Sequence, residues 1–159
     1  METMQPLEKR IHNDCELALR NKDQSTLTTV RMLIAALQTR QIEKRGKGDV
    51  APLSDEETLD IVIREVKKRK ESAQAFRAGK REDLAAKEES EVRILEAYLP
   101  PQASEEEIAA AVKKAIAVIA PSGNKDFGKV MGEAMKSLKG RTDAATVGAK
   151  IKEFLAPTT

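Results

Sequence analysis

Pro100-Pro101 constrains this chain more than any other pair of residues. Two prolines in succession offer no backbone N–H and hold φ near about −65°, so no helix runs through them. They divide the 159 residues into stretches 1–99 and 102–157. On both sides, apolar residues recur at the helical spacing of i, i+3, i+4. On both sides, a helix start is written as a capping box, Ser54-Asp55-Glu56-Glu57 and Ser104-Glu105-Glu106-Glu107. In such a box the serine hydroxyl accepts from the third helical N–H, and the glutamate reaches back to the serine N–H. The chain therefore reads as all-α. Residues 1–99 form a helical hairpin or bundle, and residues 102–157 a compact three-helix domain.

The spacing predicts the elements in turn. Leu7, Ile11, Cys15, Ala18 and Leu19 mark a first helix. Ser25 or Thr26 caps a second, with Leu27, Val30, Leu33, Ile34, Leu37 and Ile42 inward, stopping at Gly46-Lys47-Gly48-Asp49. Ser54 starts a third, with Leu59, Val62, Ile63, Val66, Ala73 and Phe76, up to a break at Gly79. A fourth runs from Glu82 to Tyr98, with Leu84, Ile94, Leu95 and Tyr98 inward. Beyond the prolines come a helix with Ile108, Ala111, Val112, Ala115, Ile116 and Ile119, and a turn at Pro121-Ser122-Gly123-Asn124. Gly140 ends the next helix as a left-handed cap. Thr142 or Asp143 starts the last, which carries Val147, Ile151, Phe154 and Leu155. Aromatics are 3% of the chain, so these cores rest on aliphatic side chains, and few rings are available to stack single-stranded bases.

Net charge is +2, too small to name a partner. Its distribution says more. Residues 1–99 carry 19 Lys+Arg and 19 Asp+Glu. From Lys113 to Lys152, nine basic residues face only Asp126, Glu133 and Asp143. The positive field belongs to the end of the chain.

Within that region lies Lys125–Arg141, KDFGKVMGEAMKSLKGR. Wound as a helix at about 100° per residue, it puts Phe127, Val130, Met131, Ala134 and Leu138 on one side. Lys125, Lys129, Lys136 and Lys139 fall on the other, with Gly132 among them. A glycine costs a helix interior roughly 1 kcal/mol relative to alanine. On a wet face, core packing does not account for it, and a phosphate backbone could come close there. The functional reading is a nucleic-acid contact through Lys125, Lys129, Gly132, Lys136, Lys139 and Arg141. The structural reading is a solvated cationic face. A secondary basic patch comprises Arg64, Lys67, Lys68, Arg69 and Lys70, with Arg77, Lys80 and Arg81 across the Gly79 break. The preferred reading there is a helix whose charges meet Asp60, Glu65 and Glu71; the functional one is a second phosphate-contacting surface.

Little in the chain suggests chemistry. His12 is the only histidine and Cys15 the only cysteine, so a zinc site, an internal disulfide and a Ser–His–Asp arrangement are all disfavoured. There is no GxxxxGK[ST] phosphate loop. Glu88, Glu89, Glu91 and Glu96 read as decoration of a solvated helix. No catalytic residue, metal or cofactor is expected. Met1–Arg10 lacks the apolar run of a signal peptide, and no stretch is apolar enough to span a bilayer. With the lone cysteine, these features lead to the expectation of a cytoplasmic protein without membrane contact.

Several motifs resemble those of YqeY-like proteins. Glu71-Ser72, Phe76, Gly79, Arg81 and Asp83-Leu84 match an E-S…F…G-x-R-x-D-L pattern. Tyr98-Leu99-Pro100-Pro101-Gln102 with Ser104-Glu105-Glu106 resembles the family's Y-L-P-x-Q-x-S-x-E-E junction. Phe127-Gly128-Lys129-Val130-Met131-Gly132 and Gly140-Arg141-Thr142-Asp143 resemble its G-K-V-M and G-R-x-D elements. The resemblance covers nearly the whole chain. One departure is Ala144-Ala145, where the family usually has a glycine and a basic residue after the aspartate.

The resemblance implies an all-helical fold whose C-terminal domain is shared with the tail of the B subunit (GatB) of the glutamine-dependent aspartyl/glutamyl-tRNA amidotransferase. It implies that residues 102–157 correspond to a tail that contacts tRNA in that enzyme. It does not bring the enzyme's chemistry, which lies in a separate catalytic domain. The leading expectation is a non-catalytic helical protein that contacts the tRNA backbone, in company with amidotransferase subunits. A second is a protein-interaction adaptor working through the N-terminal helices. A third, ranked last, is the carbon–nitrogen ligase activity, with glutamine as amido-N-donor, that the family association suggests.

Overall fold

The computed structural model describes residues 6–156. Met1–Gln5, the start of the stretch read for a signal peptide, lie outside the described residues, as does Pro157, the last residue of the expected C-terminal domain. Among the described residues there are seven α-helices, and the fold is all-α. Contacts group the chain into two compact units, residues 1–99 and 100–159.

The first unit has four helices, α1 (Pro6–Arg20), α2 (Gln24–Gly46), α3 (Asp55–Ala78) and α4 (Glu82–Glu96). α1 and α2 form a hairpin across Asn21–Asp23, where Lys22 takes a left-handed φ of 55° and the Asp23 N–H donates to the Ala18 carbonyl. The cap of α2 is Asp23, not Ser25 or Thr26: its carboxylate accepts from the Thr26 N–H at 3.1 Å and from the Thr26 hydroxyl at 2.7 Å. The aspartate outcompetes the hydroxyls because it is ionised and can accept both bonds. α3 starts at the Ser54–Glu57 capping box, with both reciprocal bonds formed. It ends at Gly79, but the left-handed residue is Lys80, at φ 59°.

Ile11, Val30, Leu33, Leu37, Leu53, Val62, Val66, Val92, Leu95 and Tyr98 form the core of this unit. Two residues expected inside are outside: Leu19 is 56% and Ile42 69% exposed. Ile42 lies about 100° round the helix from Gln41; it is Gln41 and Lys44 that face inward here, bonding to Ala51, Leu53, Pro52 and Glu57.

The second unit has α5 (Glu105–Ile119), a 3₁₀ turn (Asn124–Asp126), α6 (Phe127–Leu138) and α7 (Ala144–Leu155). The Ser104–Glu107 capping box is complete. Gly140 is left-handed, with φ 74°. Asp143 caps α7 by accepting from the Thr146 N–H at 2.7 Å. Ile108, Val112, Ala115, Val130, Ala134, Leu138, Val147 and Ile151 form the core.

Candidate nucleic-acid interface

α6 is amphipathic, and its sequence decides which face is wet. Val130, Ala134 and Leu138 are buried, and Phe127, Met131 and Met135 pack beside them. Gly148 of α7 makes room for this packing: a Cβ there would lie 3.3 Å from Met131 Cε and 3.5 Å from Phe127 Cζ. The opposite face carries Gly128, Lys129, Gly132 and Lys136, all exposed.

Gly132 differs from Gly148 in kind. A Cβ built on Gly132 would meet nothing within 4 Å, so no neighbour requires the missing side chain. Lys129 and Lys136 flank it, with side chains 72% and 73% exposed. Each makes a local ion pair, Lys129 with Asp126 at 3.0 Å and Lys136 with Glu133 at 2.6 Å. The lysine end of each pair is open to solvent, so water and an incoming phosphate can compete for it. They also take up part of the positive field. Asp126 is held independently: its carboxyl lies below the usual carboxylate range because the Ser122 N–H donates to it, with Lys129 adding to the effect.

The other expected contacts are placed differently. Lys125 is exposed, but it sits in the 3₁₀ turn before α6, because the α-helix begins only at Phe127. Lys139 is the residue that ends the helix and is half-buried. Arg141 is engaged within the unit. Its Nε donates to the Pro101 carbonyl at 3.1 Å, and its Nη2 donates to Glu107 at 2.9 Å. Its own carbonyl accepts from the Ala103 N–H at 2.7 Å. It ties the chain after the two prolines to the α6–α7 turn, and it holds the Glu107 carboxyl below its ordinary value, helped by the Ser104 N–H.

Sequence periodicity missed Lys152. Its Nζ stands 6.0 Å from the Phe127 ring centroid, which brings a further cation from α7 to the start of α6. Only the packing of α7 on α6 reveals this, and the one sequence cue is the small residue Gly148.

The secondary patch is largely paired within the first unit. Lys67 meets Glu71 at 3.9 Å, Lys70 meets Glu96 at 2.9 Å, Arg77 meets Glu89 at 2.6 Å, and Arg81 meets Asp83 at 3.1 Å. Arg64 and Lys68 are exposed. Arg69 is buried and bridges Glu65 and Glu91, the latter at 2.9 Å. Glu91, expected on a solvated face, is therefore a core residue.

Among the described residues no group of three or more His, Cys, Asp or Glu is placed to hold a metal ion. No helix among them is long and apolar enough to cross a membrane.

Comparison with known proteins bears on this arrangement. A family model described as Yqey-like protein matches residues 8–155, spanning both units. The chain belongs to the YqeY-like family. Among its curated relatives is the "Altered inheritance of mitochondria protein 41, mitochondrial" of Pyrenophora tritici-repentis, 32% identical over 92% of this chain and 79% of the relative. Proteins of the same name from Saccharomyces cerevisiae (33%; 77% of this chain, 67% of the relative) and Eremothecium gossypii (35%; 63% and 54%) also match. These YqeY-like relatives overturn the expectation of a cytoplasmic protein, since each is named a mitochondrial protein. That expectation rested on the lack of a secretory apolar run, the lack of a bilayer-spanning stretch and one unpaired cysteine, none of which separates one reducing compartment from another.

Proposed function

We propose that this YqeY-like chain binds folded RNA, tRNA being the leading candidate, through the exposed face of α6. The observation that carries the reading is Gly132, a helix-interior glycine that no packing requires, between two exposed lysines. Lys125 and Lys152 extend the cationic surface at the N-terminal end of α6. Recognition is of shape and phosphate, which suits helical RNA. The scarcity of exposed rings disfavours a stacking platform for single strands. Arg141 supports the interface by holding the Pro101–Ala103 segment and is not itself a contact. Amidotransferase subunits are the protein partners to examine first, by analogy with the amidotransferase tail alone.

The test is binding to bulk tRNA across a salt series, with wild type beside Lys129→Glu/Lys136→Glu. Each phosphate contact contributes about 0.7–0.9 to the slope of log K against log salt. Wild-type binding should fall with salt, and the double variant should lose about two contacts' worth of slope. Equal affinity and slope in both proteins would refute the assignment.

A further inference from the structure

Resting on the RNA contact proposed for α6, we infer that Asp126 and Glu133 are its selectivity residues. They close one side of the lysine row to phosphate, so that the face accepts the fixed backbone of a folded RNA and discriminates against a flexible polyanion.

Along the axis, Gly132 lies between Lys129 and Lys136, which stand about 10.5 Å apart and within about 20° of one line. Round the axis, the row has two unlike sides. Counted at about 100° per residue, Gly128 and Gly132 lie to one side of the lysines and Glu133 to the other. A Cβ on either glycine would meet nothing within 4 Å, so that side is open. On the other side, Glu133 pairs with Lys136 at 2.6 Å, and Asp126, in the turn before α6, pairs with Lys129 at 3.0 Å. Between Lys113 and Lys152 the remaining carboxylate, Asp143, caps α7.

The two ends of each pair differ. The lysine side chains are 72% and 73% exposed, and those of Asp126 and Glu133 are 18% and 24% exposed. Asp126 is also fixed by the N–H and hydroxyl of Ser122, at 3.1 and 3.2 Å. When a lysine turns to a phosphate, its carboxylate therefore stays at the helix surface as a negative edge. A phosphate reaching Lys136 across that edge would lie within about 6 Å of Glu133, where repulsion between unit charges in water lowers affinity about threefold. A folded RNA holds its phosphates in one geometry and can keep to the glycine side. A flexible chain samples both sides and loses one of them. Repulsion placed against the wrong partner is a source of selectivity.

The test compares tRNA with polyuridylate, which is flexible and single-stranded, by titrating each into the full-length chain at one salt concentration. Glu133→Gln and Asp126→Asn remove the charge and keep the shape, and asparagine still accepts from Ser122. Each should tighten polyuridylate about threefold and tRNA by less, so that the preference for tRNA falls. Glu16→Gln, which makes the same change of net charge in the first unit, should leave the preference unchanged. Equal tightening of both RNAs, no tightening, or an equal fall with Glu16→Gln would overturn the selectivity role. If Lys129→Glu/Lys136→Glu still abolished tRNA binding, the RNA contact itself would stand. Retention of tRNA binding by that double variant would overturn both.

Discussion

Replacing Gly132 with alanine separates stability from RNA binding, because the two should move in opposite directions. The new Cβ meets nothing within 4 Å, so the substitution introduces no clash. It removes the glycine penalty of a helix interior, about 1 kcal/mol. For a unit of this size that raises Tm by about 4–8 °C. On the RNA side, the added methyl holds a phosphate away from the helix surface. Lys129 and Lys136 are 72% and 73% exposed, so their attraction is screened nearly as in water. Moving a phosphate from about 4 to about 5.5 Å then weakens each Coulomb interaction by about 0.3 kcal/mol. Two lysines give about 0.6 kcal/mol, or roughly a threefold loss of affinity. Thermal melts followed by circular dichroism and tRNA titrations at fixed salt measure both quantities on one preparation. A variant that is more stable and binds tRNA as tightly as the wild type would refute the idea that Gly132 marks the point of closest approach.

Arg69→Met should destabilise the first unit by about 3–5 kcal/mol in a urea titration, since Glu91 is left buried without its partner; Arg69→Met/Glu91→Leu should recover most of the loss. Thr58→Val should stabilise by about 1 kcal/mol, because the Thr58 hydroxyl is buried with no hydrogen-bond partner. The carboxyls of Glu57 and Glu107 lie below their ordinary value, chiefly through Lys44 and Arg141 respectively. A depressed folded value stabilises above the unfolded value, about 4.3 for a glutamate, and is lost as pH falls through the folded one. Urea midpoints should therefore drop as pH is lowered below that value, and Glu107→Gln should make the drop shallower.

The parts of the fold legible in the sequence are those set by local chemistry. Both capping boxes form, Gly140 takes the left-handed conformation, and the buried residues of α5–α7 keep their periodic spacing. The break at Gly79 is found as expected, with Lys80 after it taking the left-handed conformation. The misreadings arise where neighbours decide. Ile42 is apolar but sits off the inward face, which at that end of α2 is carried by Leu37, Gln41 and Lys44. Arg69 and Glu91 looked like surface charges, because only the pairing of α3 with α4 brings them together. At the candidate site, the lysine face of α6 was legible from periodicity. Arg141 was not, because its partners Pro101 and Glu107 are brought to it by the fold.

Whether RNA lies on α6 is read by backbone amide NMR during tRNA titration at low salt. Perturbations should concentrate at Lys125, Lys129, Gly132, Lys136 and Lys152 and be reversed by added salt. Perturbations confined to residues 6–99, or none at low salt, would contradict an RNA contact on α6.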